Sequence, residues 1–139
     1  MFETEFTVAE ANAIGEGRFP AEVGLRFTEV GDRLVRGELD VDPRHLAPNG
    51  FLHAGVVITL ADTCCGYGVR TCPPTGANGF TTLDITTKHL GTAREGTISC
   101  VARARHAGRS TQVWEAEVTQ GERVLCLFRC TQLLLYPRE

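Results

Sequence analysis

Apolar and polar positions alternate through residues 23–30 and again through 34–41, with Gly31-Asp32 between the two runs. A period of two places successive side chains on opposite faces of a strand, so the pattern predicts an antiparallel hairpin turning at Gly31-Asp32. Upstream, residues 5–15 are predicted to form a short helix ending at Gly15, and residues 17–20, from Gly17 to Pro20, to break it. Turn formers crowd residues 42–50, among them Pro43, Pro48 and Asn49. They predict a loop leading into residues 53–69, where the period changes. There Val57, Leu60, Ala61, Cys64 and Gly68 recur at spacings of three and four, the apolar stripe of the only long helix expected in the chain. Beyond Pro73-Pro74 four further strands are predicted, at 80–90, 97–105, 111–119 and 123–136. The glycine-bearing segments 91–96, 106–109 and 120–122 are short enough to join neighbours, so a continuous meander is the economical arrangement.

Two strands, one long helix and four strands predict an α+β fold, an antiparallel sheet curved around a single central helix. One helix covers only one face of such a sheet, and an exposed edge or second face favours self-association. The length, 139 residues, fits a single domain spanning 1–139. Apolar residues make up 42% of the chain and charged residues 22%, enough to form a core without disulfides or metals. The net charge of −3 is spread along the chain, without the basic footprint of a nucleic-acid binder or a lysine run for a membrane surface. The first residues, MFETEFTVAE, carry carboxylates where a secretory signal needs positive charge, so a cytoplasmic location is expected. Cys64, Cys65, Cys72, Cys100, Cys126 and Cys130 lie mostly in apolar segments and are expected to be buried free thiols. Their spacing, an adjacent pair and Cys126-x3-Cys130 with no histidine nearby, does not make a zinc site.

The candidate chemistry lies on the helix. A second line of residues, Gly55, Thr59, Asp62 and Gly66, is small or polar and lets a ligand or another backbone approach. Asp62 is the only carboxylate there. An aspartate in mid-helix is ordinarily a solvated surface residue, but residues 63–68 give this one uncharged surroundings, which favour function. At the helix start, backbone N–H groups near Ala54 and Gly55, together with the positive end of the macrodipole, can hold an anionic oxygen. Asp62 and Ala54 are separated by roughly 12 Å of helix, too far to act on one carbonyl carbon. If two copies pack their helices antiparallel about a two-fold axis, Asp62 of one meets the helix start of the other. The dimer is then a requirement of catalysis.

The segment Asn49-Gly-Phe-Leu-His-Ala-Gly-Val-Val-Ile-Thr-Leu-Ala-Asp62 resembles the signature of hot-dog-fold thioesterases of the phenylacetate-pathway (PaaI-like) and 4-hydroxybenzoyl-CoA type. In strand order the resemblance extends over residues 20–135. It implies a hot-dog fold with the sheet wrapped around the helix, dimers often paired into tetramers, and an acyl-CoA substrate. It further implies that the acidic residue at Asp62 attacks the thioester carbonyl or activates water, while the N–H matching Ala54 stabilises the oxyanion. His53 matches the histidine before the helix, orienting the loop or thioester, or simply capping the helix. Thr82 stands where relatives place a hydroxyl from the other subunit near the catalytic water or carboxylate, although β-propensity alone accounts for a threonine there.

Two departures from the pattern stand out. Ala54 replaces the usual glycine after the histidine, keeping the N–H but adding a methyl group. Ala47 stands where many relatives carry Asn or Gln, leaving Asn49 to supply the amide. Arg105, Arg109 and Arg94 lie beside turns, either as guanidinium partners for the phosphates of coenzyme A or as ordinary surface charge. Coenzyme A is part of the substrate, and no cofactor is implied. Neither Ser99 nor Ser110 lies in a Gly-x-Ser-x-Gly elbow, and no phosphate-binding or dinucleotide loop occurs. The expected reaction is therefore hydrolysis of an acyl-CoA to acid and free coenzyme A, with an aryl or arylacetyl group favoured over a medium-chain one. The alternatives are a hot-dog domain that binds acyl-CoA or dimerises without turnover, and a hot-dog dehydratase.

Overall fold

The computed structural model describes residue 2 and residues 5–139. Helix α1 (Val8–Ile14) starts where the Thr7 hydroxyl accepts the N–H of Glu10 and ends at Gly15, as expected. Gly17 and Arg18 break the helix as expected, but Phe19 and Pro20 open a second one, α2 (Phe19–Val23). Pro20 sits in its first turn, where the missing N–H has no helical partner to lose, and Gly24, at φ 98°, stops it in the left-handed region. The first strand, expected from residue 23, accordingly begins three residues later.

Strands β1 (Arg26–Gly31) and β2 (Leu34–Asp40) form the predicted hairpin, but it turns on Asp32-Arg33. Gly31 remains in the ladder opposite Leu34. Arg33 takes the positive φ, 56°, and its N–H is held by the hydroxyl of Thr71, a distant contact that displaces the turn by one residue. The following loop contains a 3₁₀ turn (Pro43–His45), in which the Asp42 carboxylate accepts from Arg44 N and His45 Nδ1 accepts from Asp42 N. With Nδ1 an acceptor, the proton of His45 lies on Nε2 and is donated to the Val23 carbonyl, 2.6 Å away. The long helix α3 (Ala54–Gly68) runs within the predicted 53–69 and continues into a 3₁₀ turn (Val69–Thr71).

Four strands complete the chain: β3 (Gly79–His89), β4 (Thr97–Ala107), β5 (Thr111–Gln120) and β6 (Arg123–Leu135). Together the six form an antiparallel sheet in the order β1-β2-β4-β5-β6-β3. The expected continuous meander holds only for β4 to β6. One side of β4 is taken by β2, from Leu34↔Arg103 to Asp40↔Thr97, and its other side by β5. No edge of β4 remains for β3, which pairs with β6 and becomes an outer strand. Segment 91–96 is therefore a crossing between sheet positions, not a hairpin turn.

The predicted stripe of α3, Val57, Leu60, Ala61, Cys64 and Gly68, is buried against the sheet, where Leu39, Ile98, Ala102, Trp114 and Phe128 supply much of the opposing surface. Close approach sets the residue at Gly68, because a Cβ there would fall 2.5 Å from the Trp114 ring. All six cysteines are free thiols, five of them buried and Cys72 half-buried. Among the described residues, no helix is long and apolar enough to cross a membrane.

Candidate active site

Two residues from different elements meet at the middle of α3. Asp62 is half-buried on the helix, and the hydroxyl of Thr82 on β3 lies 3.3 Å from its Oδ1. The resemblance placed such a hydroxyl on the other subunit, whereas here it belongs to the same chain. The ladder between β3 and β6 shifts register between Thr82 and Asp84, a bulge that leaves Leu83 without a paired partner. Thr82 itself pairs with Gln132, which is wholly buried. The Gln132 amide lies 3.2 Å from the Thr82 hydroxyl and 3.3 Å from the Cys130 sulfur. Burial pushes the carboxyl of Asp62 above the ordinary carboxylate range, and the Thr82 hydroxyl partly opposes that by stabilising the charged form. Asp62 is thus a stronger base than a free aspartate.

The start of α3 is built separately. His53 is its N-cap, and His53 Nδ1 accepts the N–H of Gly55 at 2.8 Å. This corrects one expectation, since the Gly55 N–H is occupied by the cap and not free for an anion. The N–H of Val56 bonds the His53 carbonyl. Among the described residues the Ala54 N–H has no acceptor, so it is the donor left exposed at the helix start. With Nδ1 accepting, the ring proton of His53 lies on Nε2.

The Asn49 side chain accepts from Phe51 N at 3.1 Å, closing the loop on itself. The Asn49 carbonyl oxygen is thus engaged within the loop. Arg94 lies over the Phe51 ring, 4.2 Å from its centre, and Leu52 N bonds the Ala93 carbonyl, so this arginine borders the helix start. The other two arginines lie elsewhere in the chain. Arg105 pairs with Glu115 at 3.4 Å and lines a groove with Arg103, Glu117 and Arg129 on the sheet face away from α3. Arg109 stands by the Tyr136 ring.

The structure therefore brings Asp62 and Thr82 together, and gathers Asn49, His53, Ala54, Gly55 and Arg94 around the helix start. A cleft of about 480 Å³ opens between α2 and α3, lined by Phe19, Val23, His53, Gly55, Val56 and Thr59. Asp62 is not in its lining. Among the described residues, no three His, Cys, Asp or Glu side chains gather as metal ligands. Gln132 was absent from the sequence-predicted site, although its signal is readable: it is the polar member of the inward series Cys126, Phe128, Cys130, Gln132, Leu134.

A family model described as the thioesterase superfamily matches residues 49–127, more than half of the chain. The chain is 30% identical over 136 residues to a 1,4-dihydroxy-2-naphthoyl-CoA hydrolase of Escherichia coli strain K12, covering 97% of this chain and 99% of that protein. Among solved structures it resembles a thioesterase of Haemophilus influenzae, with a TM-score of 0.90 at 27% identity over 99% of this chain and 96% of the other. A mutant thioesterase of Pseudomonas aeruginosa superimposes with a TM-score of 0.89 at 28% identity, covering 96% of each chain. With its six-stranded antiparallel sheet around one long helix, the chain belongs to the thioesterase superfamily as a hot-dog-fold thioester hydrolase.

Proposed function

We propose that the protein, as one hot-dog domain, hydrolyses an aryl acyl-CoA thioester to the free acid and coenzyme A at a site shared between two copies. The observation that carries this is Asp62, a half-buried carboxylate with a hydroxyl donor on one oxygen and no cation bonded to it among the described residues. Such a group is made more basic by its surroundings and suits proton removal from water. The likeness to a hydrolase named for 1,4-dihydroxy-2-naphthoyl-CoA supports an aromatic acyl group over a medium-chain one.

In the general-base route, ionised Asp62 takes a proton from water as the water oxygen bonds to the thioester carbon. The carbonyl oxygen becomes an oxyanion, held by the Ala54 N–H of the second copy and by the positive end of its helix. Collapse breaks the carbon–sulfur bond, and the departing thiolate takes the proton from Asp62. In the nucleophilic route Asp62 itself bonds the carbon, and the carbon–sulfur bond breaks to expel the coenzyme A thiolate. Water then hydrolyses the resulting anhydride to the free acid, regenerating the Asp62 carboxylate and supplying the proton that the thiolate takes up. Both routes start from the ionised carboxylate.

Two observations support a shared site: the distance between the two halves on α3, and the outer edge of β3, which is unpaired among the described residues. That strand exposes Leu83 and Ile85, 55% and 41% accessible, at the outer edge of the sheet. A second copy pairing there covers both, and a pair of such dimers gives a tetramer. Arg94, beside the helix start, is the arginine best placed for the phosphates of coenzyme A.

The test is release of free thiol from aryl, arylacetyl and straight-chain acyl-CoAs by the natural protein, Asp62→Asn and Asp62→Ala. Fast release from the aryl thioesters, lost in both folded variants, supports the proposal. Tight binding with no release, or equal release by the variants, would replace it with a binding domain or with another catalytic group.

A further inference from the structure

The inward face of the sheet carries two glutamines directly opposite one another, Gln112 on β5 and Gln132 on β6, and both are wholly buried. A buried amide left unpaired is costly, so each has to find partners. Gln112 finds them in the frame of the fold: Oε1 accepts from Trp114 Nε1 at 2.8 Å, and Nε2 donates to the Cys72 carbonyl at 2.9 Å. Gln132 faces the candidate site instead, with one amide atom 3.2 Å from Thr82 Oγ1 and the other 3.3 Å from Cys130 Sγ. Thr82 Oγ1 is in turn 3.3 Å from Asp62 Oδ1.

A proton count decides which way this amide faces. With the amide oxygen toward Thr82, a hydroxyl with one proton meets two acceptors, Asp62 Oδ1 and Gln132 Oε1, and the amide NH₂ is left with only a thiol sulfur. Turned over, the same heavy-atom positions form a complete series: Cys130 S–H donates to Oε1, Nε2–H donates to Thr82 Oγ1, and the Thr82 proton goes to Asp62. Because an ionised acceptor makes the stronger hydrogen bond, a charged Asp62 favours the second arrangement. The ionisable groups around this series are Cys65 on α3, a buried free thiol beside Cys130, and Asp84 on β3, whose charge also acts on Cys130.

We propose that Gln132 is a positioning residue for Asp62: its amide N–H donates to Thr82 Oγ1 and so commits the Thr82 proton to the carboxylate. One oxygen, Oδ1, is thereby held, and Oδ2 is left for water or the thioester carbon. The role rests on Asp62 being the reacting carboxylate. Gln112, of the same type one strand away, serves the fold alone and provides the internal control.

Two measurements test this. In the natural protein, nuclear Overhauser contacts from the Gln132 side-chain NH₂ are expected to the methyl and Hβ protons of Thr82; contacts to Cys130 Hβ in their place would overturn the proposal. In Gln132→Met, kcat is expected to fall by about 3- to 10-fold with KM little changed. The titration midpoint of the ¹³C-labelled Asp62 carboxyl is expected to move to higher pH. Neither effect should recur when Gln132→Met is added to Thr82→Val, and Gln112→Met should lower stability without moving the midpoint. A midpoint that stays or falls in folded Gln132→Met would overturn the proposal, since a glutamine competing for the Thr82 proton gives that result. The contacts and the titration are read without substrate, so they separate failure of this donor series from failure of Asp62 as the catalyst, which the turnover of Asp62→Asn reports.

Discussion

The hydroxyl of Thr82 on β3 stands 3.3 Å from Oδ1 of Asp62 on α3, within one chain. That hydroxyl opposes the upward push of burial on the carboxyl, a direction with a kinetic consequence. In the proposed mechanism Asp62 acts in its ionised form, so the rate is expected to fall as pH drops through its pKa. Thr82→Val removes the opposing donor, raises that pKa further and moves the fall to higher pH. The rate near the acid limb should drop by about 2- to 10-fold, while Thr82→Ser stays close to the natural protein. A pH profile of kcat/KM for the three proteins checks this.

Asp62 should also cost the fold stability at neutral pH. Its carboxyl is raised above its unfolded value, so the favourable contribution of its protonated form is complete below the unfolded pKa and is lost as pH rises through the folded one. Asp62→Asn removes that loss. At pH 7 the variant is expected to melt a few degrees higher, on the order of 2–4 °C, with the gain shrinking toward zero below the ordinary carboxylate range. Thermal unfolding at both pH values measures the difference.

Gly68 and Trp114 fix how closely α3 lies on the sheet. An added Cβ at Gly68 would fall 2.5 Å from the ring of a wholly buried tryptophan, which has no open space to move into. Gly68→Ala should therefore destabilise the protein by about 1–3 kcal/mol in spite of alanine's better helix propensity. Denaturant unfolding of this variant beside Gly17→Ala, where a Cβ meets nothing but φ is 69°, separates packing from backbone strain.

Much of this molecule was legible in its sequence wherever the determinants are local. The stripe from Val57 to Gly68 predicted the buried face of α3, because helical periodicity and burial coincide there. Errors arose where distant residues decide. Asp32-Arg33 replaced Gly31-Asp32 as the turn because Thr71 holds Arg33, and β3 joined β6 because both sides of β4 were already taken. Pro20 was taken for a breaker, although the first helical turn tolerates it. At the candidate site, Asp62 could be picked from helical spacing, Ala54 from its place at the helix start and His53 from the family resemblance, whereas occupation of the Gly55 N–H by a histidine side chain and the approach of Gln132 to Thr82 depend on rotamers that no periodicity encodes.

The central claim, that each site is made from two chains, can be tested with two inactive proteins. Asp62→Asn removes the carboxylate. Ala54→Pro removes the one free N–H at the first helical position, where proline is tolerated and where His53, at φ −66° and ψ 132°, already has the backbone that precedes proline. Each variant alone should release almost no thiol from an aryl acyl-CoA. After unfolding and refolding together in equal amounts, half of the dimers are mixed, and each mixed dimer holds one site with both halves intact. Activity should then return to about one quarter of the natural level. If mixed dimers form and no activity returns, the two halves do not act across the dimer, and the account of a shared site is wrong.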